Sequence, residues 1–222
     1  MSVPRHLACS ALPAFLLVAA PALAQPAATT EAYRGQALAE LERLKGDAPV
    51  NGKARNIILF IGDGMGVSTL TAARIHQGQR RGVDGESFVP AMDLLSSTAL
   101  VKTYSHDGQV SDSAPTATAI PSGVKTRNGV IGVGPEVAEN DCAASKRHEL
   151  PSLFGLAQSQ GLATGVISTA RITHATPAAA YARTPQRDWE ADSDLTERAR
   201  QQGCIDIGRQ MVGKAMSARG ST

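Results

Sequence analysis

One stretch limits the possible folds more than any other: the unbroken apolar run Asn56-Ile57-Ile58-Leu59-Phe60-Ile61, which stops on Gly62-Asp63-Gly64-Met65-Gly66. Apolar residues at every position, rather than at alternate ones, suit a strand covered on both faces, as in the middle of a parallel sheet. A helix is predicted next, through Leu70, Ala73 and Arg74. The same cycle then repeats. Ser97 to Tyr104 reads as a strand, a polar loop passes His106 and Gly108, and an alanine-rich helical stretch opens at Ser113 and stops at Gly123. Arg127-Asn128-Gly129-Val130 signals a tight turn before the apolar Val130 to Val133. Leu150 to Gln160 reads as a helix ending at Gly161, and Leu162 to Ser168 as a further apolar strand. This order predicts an α/β fold, a mostly parallel sheet with helices on both faces. Plentiful alanine and glycine with few aromatic residues fit closely packed helix and sheet layers.

The start of the chain has a different purpose. Arg5, an apolar run from Leu7 to Ala22, and Ala22-Leu23-Ala24 before Gln25 predict a secretory signal peptide over residues 1–24, cleaved after Ala24. The run is too short, and too broken by Pro13 and Pro21, to span a membrane. Nothing later reads as a span, so the mature chain is expected to be exported, to the periplasm or beyond. Cys9 leaves with the signal. Cys142 and Cys204 remain, and in an oxidising compartment they suggest one disulfide, the alternative being two buried free thiols. Residues 25–54 read as a lead-in with a helix from Glu31 to Lys45, where Leu38, Leu41 and Leu44 recur at helical spacing. Residues 55–222 form the main domain. Its end is helical, with Asp194 and Glu197 as the expected capping pair.

A formal net charge of +2 over 222 residues, with no basic block, points to neither nucleic acid nor a membrane surface as partner. Chemistry concentrates instead at the strand tips. Asp63 stands where open α/β sheets place ligands, between glycines that admit close approach, and is a candidate metal ligand; a turn aspartate capping the next helix is the alternative. Ser113 stands before a helix whose first N–H groups favour an anion or an ionising hydroxyl, though a serine or aspartate there is often only a cap.

Three separated segments match one family in order and spacing. Arg55 to Gly66, Val110-Ser111-Asp112-Ser113-Ala114-Pro115-Thr116-Ala117-Thr118-Ala119 and His174-Ala175-Thr176-Pro177-Ala178-Ala179 resemble the alkaline phosphatases. The likeness runs from about Arg55 to Met211. Asp188-Trp189 and Gln202 to Ile207 look most like the animal-type branch. The resemblance implies hydrolysis of small phosphate monoesters through a phosphoserine at a zinc and magnesium site, in an enzyme that is usually a homodimer. Residue by residue it implies Ser113 as nucleophile and zinc ligand, Asp63 as a bridge between one zinc and the magnesium, and Thr176 as a magnesium ligand. His174 is placed near that magnesium, acting directly or through water. Arg187 is placed on two phosphate oxygens, a role whose alternative is a solvated loop charge. Cys142 and Cys204 fall where animal-type members form a disulfide.

These residue types suit the reaction. A phosphate dianion must be neutralised while an oxygen attacks phosphorus in line, so positioning and charge dominate. Zinc would lower the pKa of the serine hydroxyl, hard oxygens suit magnesium, and a guanidinium grips phosphate in a fork. Family members are much longer than this chain, and the remaining part supplies the histidine and aspartate ligands of both zinc ions and a magnesium glutamate. A catalytic zinc needs about three protein ligands, so the sheet is expected to be incomplete and the chain inactive alone. Two alternatives are a non-catalytic metal- or phosphate-binding fragment and a related metal-dependent phosphodiesterase or sulfatase.

Overall fold

A computed structural model describes residues 29–47, 54–86, 88–94 and 99–219. The signal-peptide reading, on residues 1–24, lies outside them. Eight α-helices occur among the described residues: α1 (Thr30–Asp47), α2 (Val67–Arg80), α3 (Ser113–Ser122), α4 (Cys142–Arg147), α5 (Leu153–Ser159), α6 (Ala175–Ala178), α7 (Glu197–Gln201) and α8 (Ile207–Arg219). The helices predicted after Gly66, at Ser113 to Gly123 and before Gly161 are all present. One cap is different. Thr196, not Asp194, caps α7 by accepting the N–H of Ala199, while Asp194 accepts that of Ala191.

The predicted strands are extended but unpaired. Residues 56–61, 99–104 and 162–168 form no ladder, and the backbone pairing between extended segments among the described residues is two isolated antiparallel bridges, Ile131 with Thr184 and Val133 with Glu149. A helix closes its hydrogen bonds on itself, whereas a strand needs a neighbouring edge for every one. The apolar runs accordingly stand open: Phe60 is 91% exposed and Ile167 fully so. Buried order lies instead between residues 105 and 210.

That core is built from small side chains. Ala114 and Ala117 of α3 meet Ala175 and Ala178 of α6, joined by Ile131, Ala179, Ala182 and Ile207, with Tyr181 against them. Alanine on alanine lets two helices approach closely, and this contact sets α3 beside α6. Val130, Val133, Val137 and Ala144 make a second cluster. In a third, Cys142 is bonded to Cys204 beside Trp189, Leu195 and Ala199. The two cysteine Cα atoms lie 5.7 Å apart across 62 residues of chain. A loop that long costs the unfolded chain considerable entropy when closed, so replacing both cysteines by serine is expected to lower stability by about 3 kcal/mol. The denaturant midpoint of the oxidised wild type, compared with that of the variant, checks this.

Candidate functional site

The loop after the first apolar run and the first turn of α6 meet at Asp63. The Thr176 hydroxyl donates to Asp63 Oδ2 at 2.6 Å, and His174 Nδ1 lies 4.0 Å from the same oxygen. His174 Nε2 is 3.2 Å from Arg187 Nη2, and Arg187 Nη1 is 3.4 Å from Asp112 Oδ1. Asp112 precedes Ser113, the first residue of α3. Asp63, His174, Thr176 and Arg187 are therefore linked contact by contact up to the residue beside Ser113.

The cap of α3 is Asp112, which accepts the Ala114 N–H at 2.7 Å. With that N–H committed and Pro115 having none, the helix acts on Ser113 through its field more than through free donors from these two residues. The hydroxyls of Ser111 and Thr116 both donate to the Asp112 carbonyl. Ser113 is half-buried, and its hydroxyl has no hydrogen bond to any described residue.

A divalent cation can be tested against these side chains. His174 Nδ1 is buried without a hydrogen-bond partner, facing a carboxylate oxygen too distant to serve as one. A buried polar atom left so is costly unless something else binds it. The two hard oxygens, of Asp63 and Thr176, suit magnesium, and the imidazole nitrogen would reach such an ion through water. Among the described residues, no three His, Cys, Asp or Glu side chains come together as a metal-binding group. The donors fit a magnesium-type ion, and they fall short of a zinc pair.

A second polar group, which sequence reasoning missed, fixes the segment carrying His174 and Thr176. Glu190 accepts two short bonds from Arg171, from Nε at 2.9 Å and Nη2 at 2.6 Å, and one from the Thr173 hydroxyl. The Arg171 bond, opposed by burial and aided by Thr173, holds the Glu190 carboxyl down at about 2. Its pKa is lower folded than unfolded, so the stabilisation is complete above about 4.5 and is lost as pH falls from there towards about 2. Because Arg171 is 70% exposed, solvent screening keeps the effect small. Urea midpoints between pH 6 and pH 3 are expected to fall more for the wild type than for Glu190→Gln. Asp112 as the partner of Arg187 was also missed, although an aspartate at a helix N-cap one residue before the candidate nucleophile is a readable signal.

Comparison with known proteins places these residues inside one matched region. Residues 54–218 match the family model described as alkaline phosphatase. The chain is 48% identical over 159 residues to the tissue-nonspecific alkaline phosphatase of Gallus gallus, a match covering 72% of this chain and 31% of that protein. To the corresponding isozyme of Homo sapiens it is 44% identical, covering 72% and 30%. It thus spans about a third of the length of these relatives. The crystal structure of a cold-active alkaline phosphatase from Shewanella sp. is 27% identical, covers 64% of this chain and 37% of that one, and gives a TM-score of 0.47.

Proposed function

This chain belongs to the alkaline phosphatase family, and from that premise we propose that it contributes the nucleophile, the phosphate-binding arginine and the magnesium-side ligands to hydrolysis of phosphate monoesters. The observation that carries the reading is the contact path from Asp63 through His174 and Arg187 to Asp112, beside a Ser113 hydroxyl with no hydrogen bond to a described residue. In this role Ser113 Oγ attacks phosphorus, the phosphoryl group passes to the serine, the alcohol leaves, and water later releases phosphate. Arg187 presents its guanidinium to two phosphate oxygens, steadied by Asp112 and His174. Asp63 and Thr176 would hold magnesium, with His174 beside it directly or through water, and Asp63 and Ser113 would contribute to zinc. When bound, these ions supply positive charge that lowers the pKa of the hydroxyl and offsets that of the phosphate.

The remaining zinc ligands come from outside this donor set, so the chain alone is inactive. The runs at 56–61, 99–104 and 162–168 pair into a mostly parallel sheet when further strands cover them. We place the active protein outside the cytoplasm, as a homodimer; no helix among the described residues is long and apolar enough to cross a membrane. The test joins this chain to the C-terminal part of a relative by co-expression and follows aryl phosphate hydrolysis with added Zn2+ and Mg2+. Activity is expected from the pair and not from either part. An inactive pair that has assembled would overturn the reading.

A further inference from the structure

We infer that Asn128 is a positioning residue that fixes the register between Ser113 and Arg187, an inference that rests on the reading of the site given above. Asn128 and Gly129 form the middle of a turn in which the Val130 N–H donates to the Arg127 carbonyl at 3.3 Å. Gly129 has φ +76°, a conformation that requires glycine. Asn128 has no positive φ, so alanine fits its backbone equally well. The turn therefore does not explain the asparagine.

Its contacts do. Asn128 Oδ1 accepts the Asp112 N–H at 3.3 Å, and Nδ2 donates to the Val110 carbonyl at 3.1 Å, so the side chain clasps both sides of Ser111 just before the candidate nucleophile. Only this orientation of the amide sets an acceptor against an N–H and a donor against a carbonyl. The Asn128 N–H donates to Asp107 Oδ1, and the neighbouring Gly129 N–H donates to Asp112 Oδ2 at 2.8 Å. Asp112 is left with Oδ1 for the Ala114 N–H and for Arg187. The Gly129 carbonyl in turn accepts the Arg187 N–H at 2.8 Å. Two adjacent residues thus hold the nucleophile's cap, the loop leading to it and the backbone of the phosphate-binding arginine. Gly108 makes room for the arrangement, since a Cβ there would lie 3.2 Å from Asn128 Nδ2.

The test uses the whole 15N-labelled chain, with the Arg187 side-chain signal assigned by its loss in Arg187→Lys. In the wild type the guanidinium signal is expected to be shifted and slowed in rotation by Asp112, and to respond to inorganic phosphate in the presence of Mg2+. Asn128→Ala is expected to return it to the position of a free arginine and to weaken phosphate binding about tenfold, with an unchanged melting temperature. Asn128→Asp, which keeps the acceptor and loses the donor, is expected to fall between the two. Asn140→Ala, at another turn, controls for general loosening. An Arg187 signal identical in wild type and Asn128→Ala, or moved equally by Asn140→Ala, overturns the inference alone. A wild-type signal that ignores phosphate overturns the reading of the site and the functional half of this inference with it.

Discussion

Ser113→Ala in the complemented protein is expected to lower the rate of aryl phosphate hydrolysis by about a thousandfold or more, the usual scale for removing a covalent nucleophile. Stability should hardly change. The Ser113 hydroxyl has no hydrogen bond to a described residue, the Ser113 side chain is outside the alanine core, and alanine is a good helix former. An unchanged melting temperature with lost activity is the expected pair of results. Acid-quenched digests should carry phosphate on the peptide containing Ser113 in the wild type and lack it in the variant. Wild-type levels of activity in Ser113→Ala would remove the serine from the mechanism and favour a binding or related-hydrolase role.

Gly132→Ala is expected to have the largest effect on folding. Gly132 has φ +66°, and a Cβ built there would lie 2.4 Å from the Ala182 carbonyl oxygen and 2.7 Å from Arg183 Cδ. The first obstacle is backbone and cannot swing aside. The residue is also tied on both sides, its N–H donating to Thr118 Oγ1 and its carbonyl accepting the Leu150 N–H, each at 2.9 Å. Arg183 is pinned as well, with Nε on the Leu150 carbonyl and its N–H on Gln210. Left-handed strain of about 1–3 kcal/mol and overpacking of similar size add to about 4 kcal/mol. Soluble yield and the denaturant midpoint are the measurements. Gly161→Ala is the comparison: its φ is +75° with nothing within 4 Å of the added Cβ, so it shows the strain without the clash.

Local signals predict the helices after Gly66, at Ser113 and before Gly161, whereas α4 and α6 come from the structure. The stops at Gly123 and Gly161 are read from one residue each, because a stop is satisfied within a turn of chain, whereas the structure supplies Asp112 as the cap of α3 and Ser152 as that of α5. The strands were legible only as apolar runs. Their hydrogen bonds belong to whatever lies beside them, and no amount of local pattern supplies that edge.

The site divides in the same way. Asp63, Ser113, His174 and Thr176 stand out as candidates because the family's motifs are contiguous, Arg187 through its interval beyond Thr176, and the two cysteines because expected export implies oxidation. The links between motifs were not legible: Asp112 to Arg187, Gly129 to both, Asn128 across Ser111, and Glu190 under the loop that carries His174.

The sequence by itself determined which side chains are candidates for the chemistry and where the main helices lie, since propensity, stop signals and motif order are properties of neighbouring residues. Tertiary structure alone decided that Asp63 meets Thr176, 113 residues away, that a buried nitrogen of His174 faces Asp63 with no hydrogen-bond partner, and that Asn128 bonds the cap of the helix bearing Ser113. The physical reason is that such contacts join segments far apart in the chain, and packing of that kind, like the alanine contact between α3 and α6, is a property of two surfaces together.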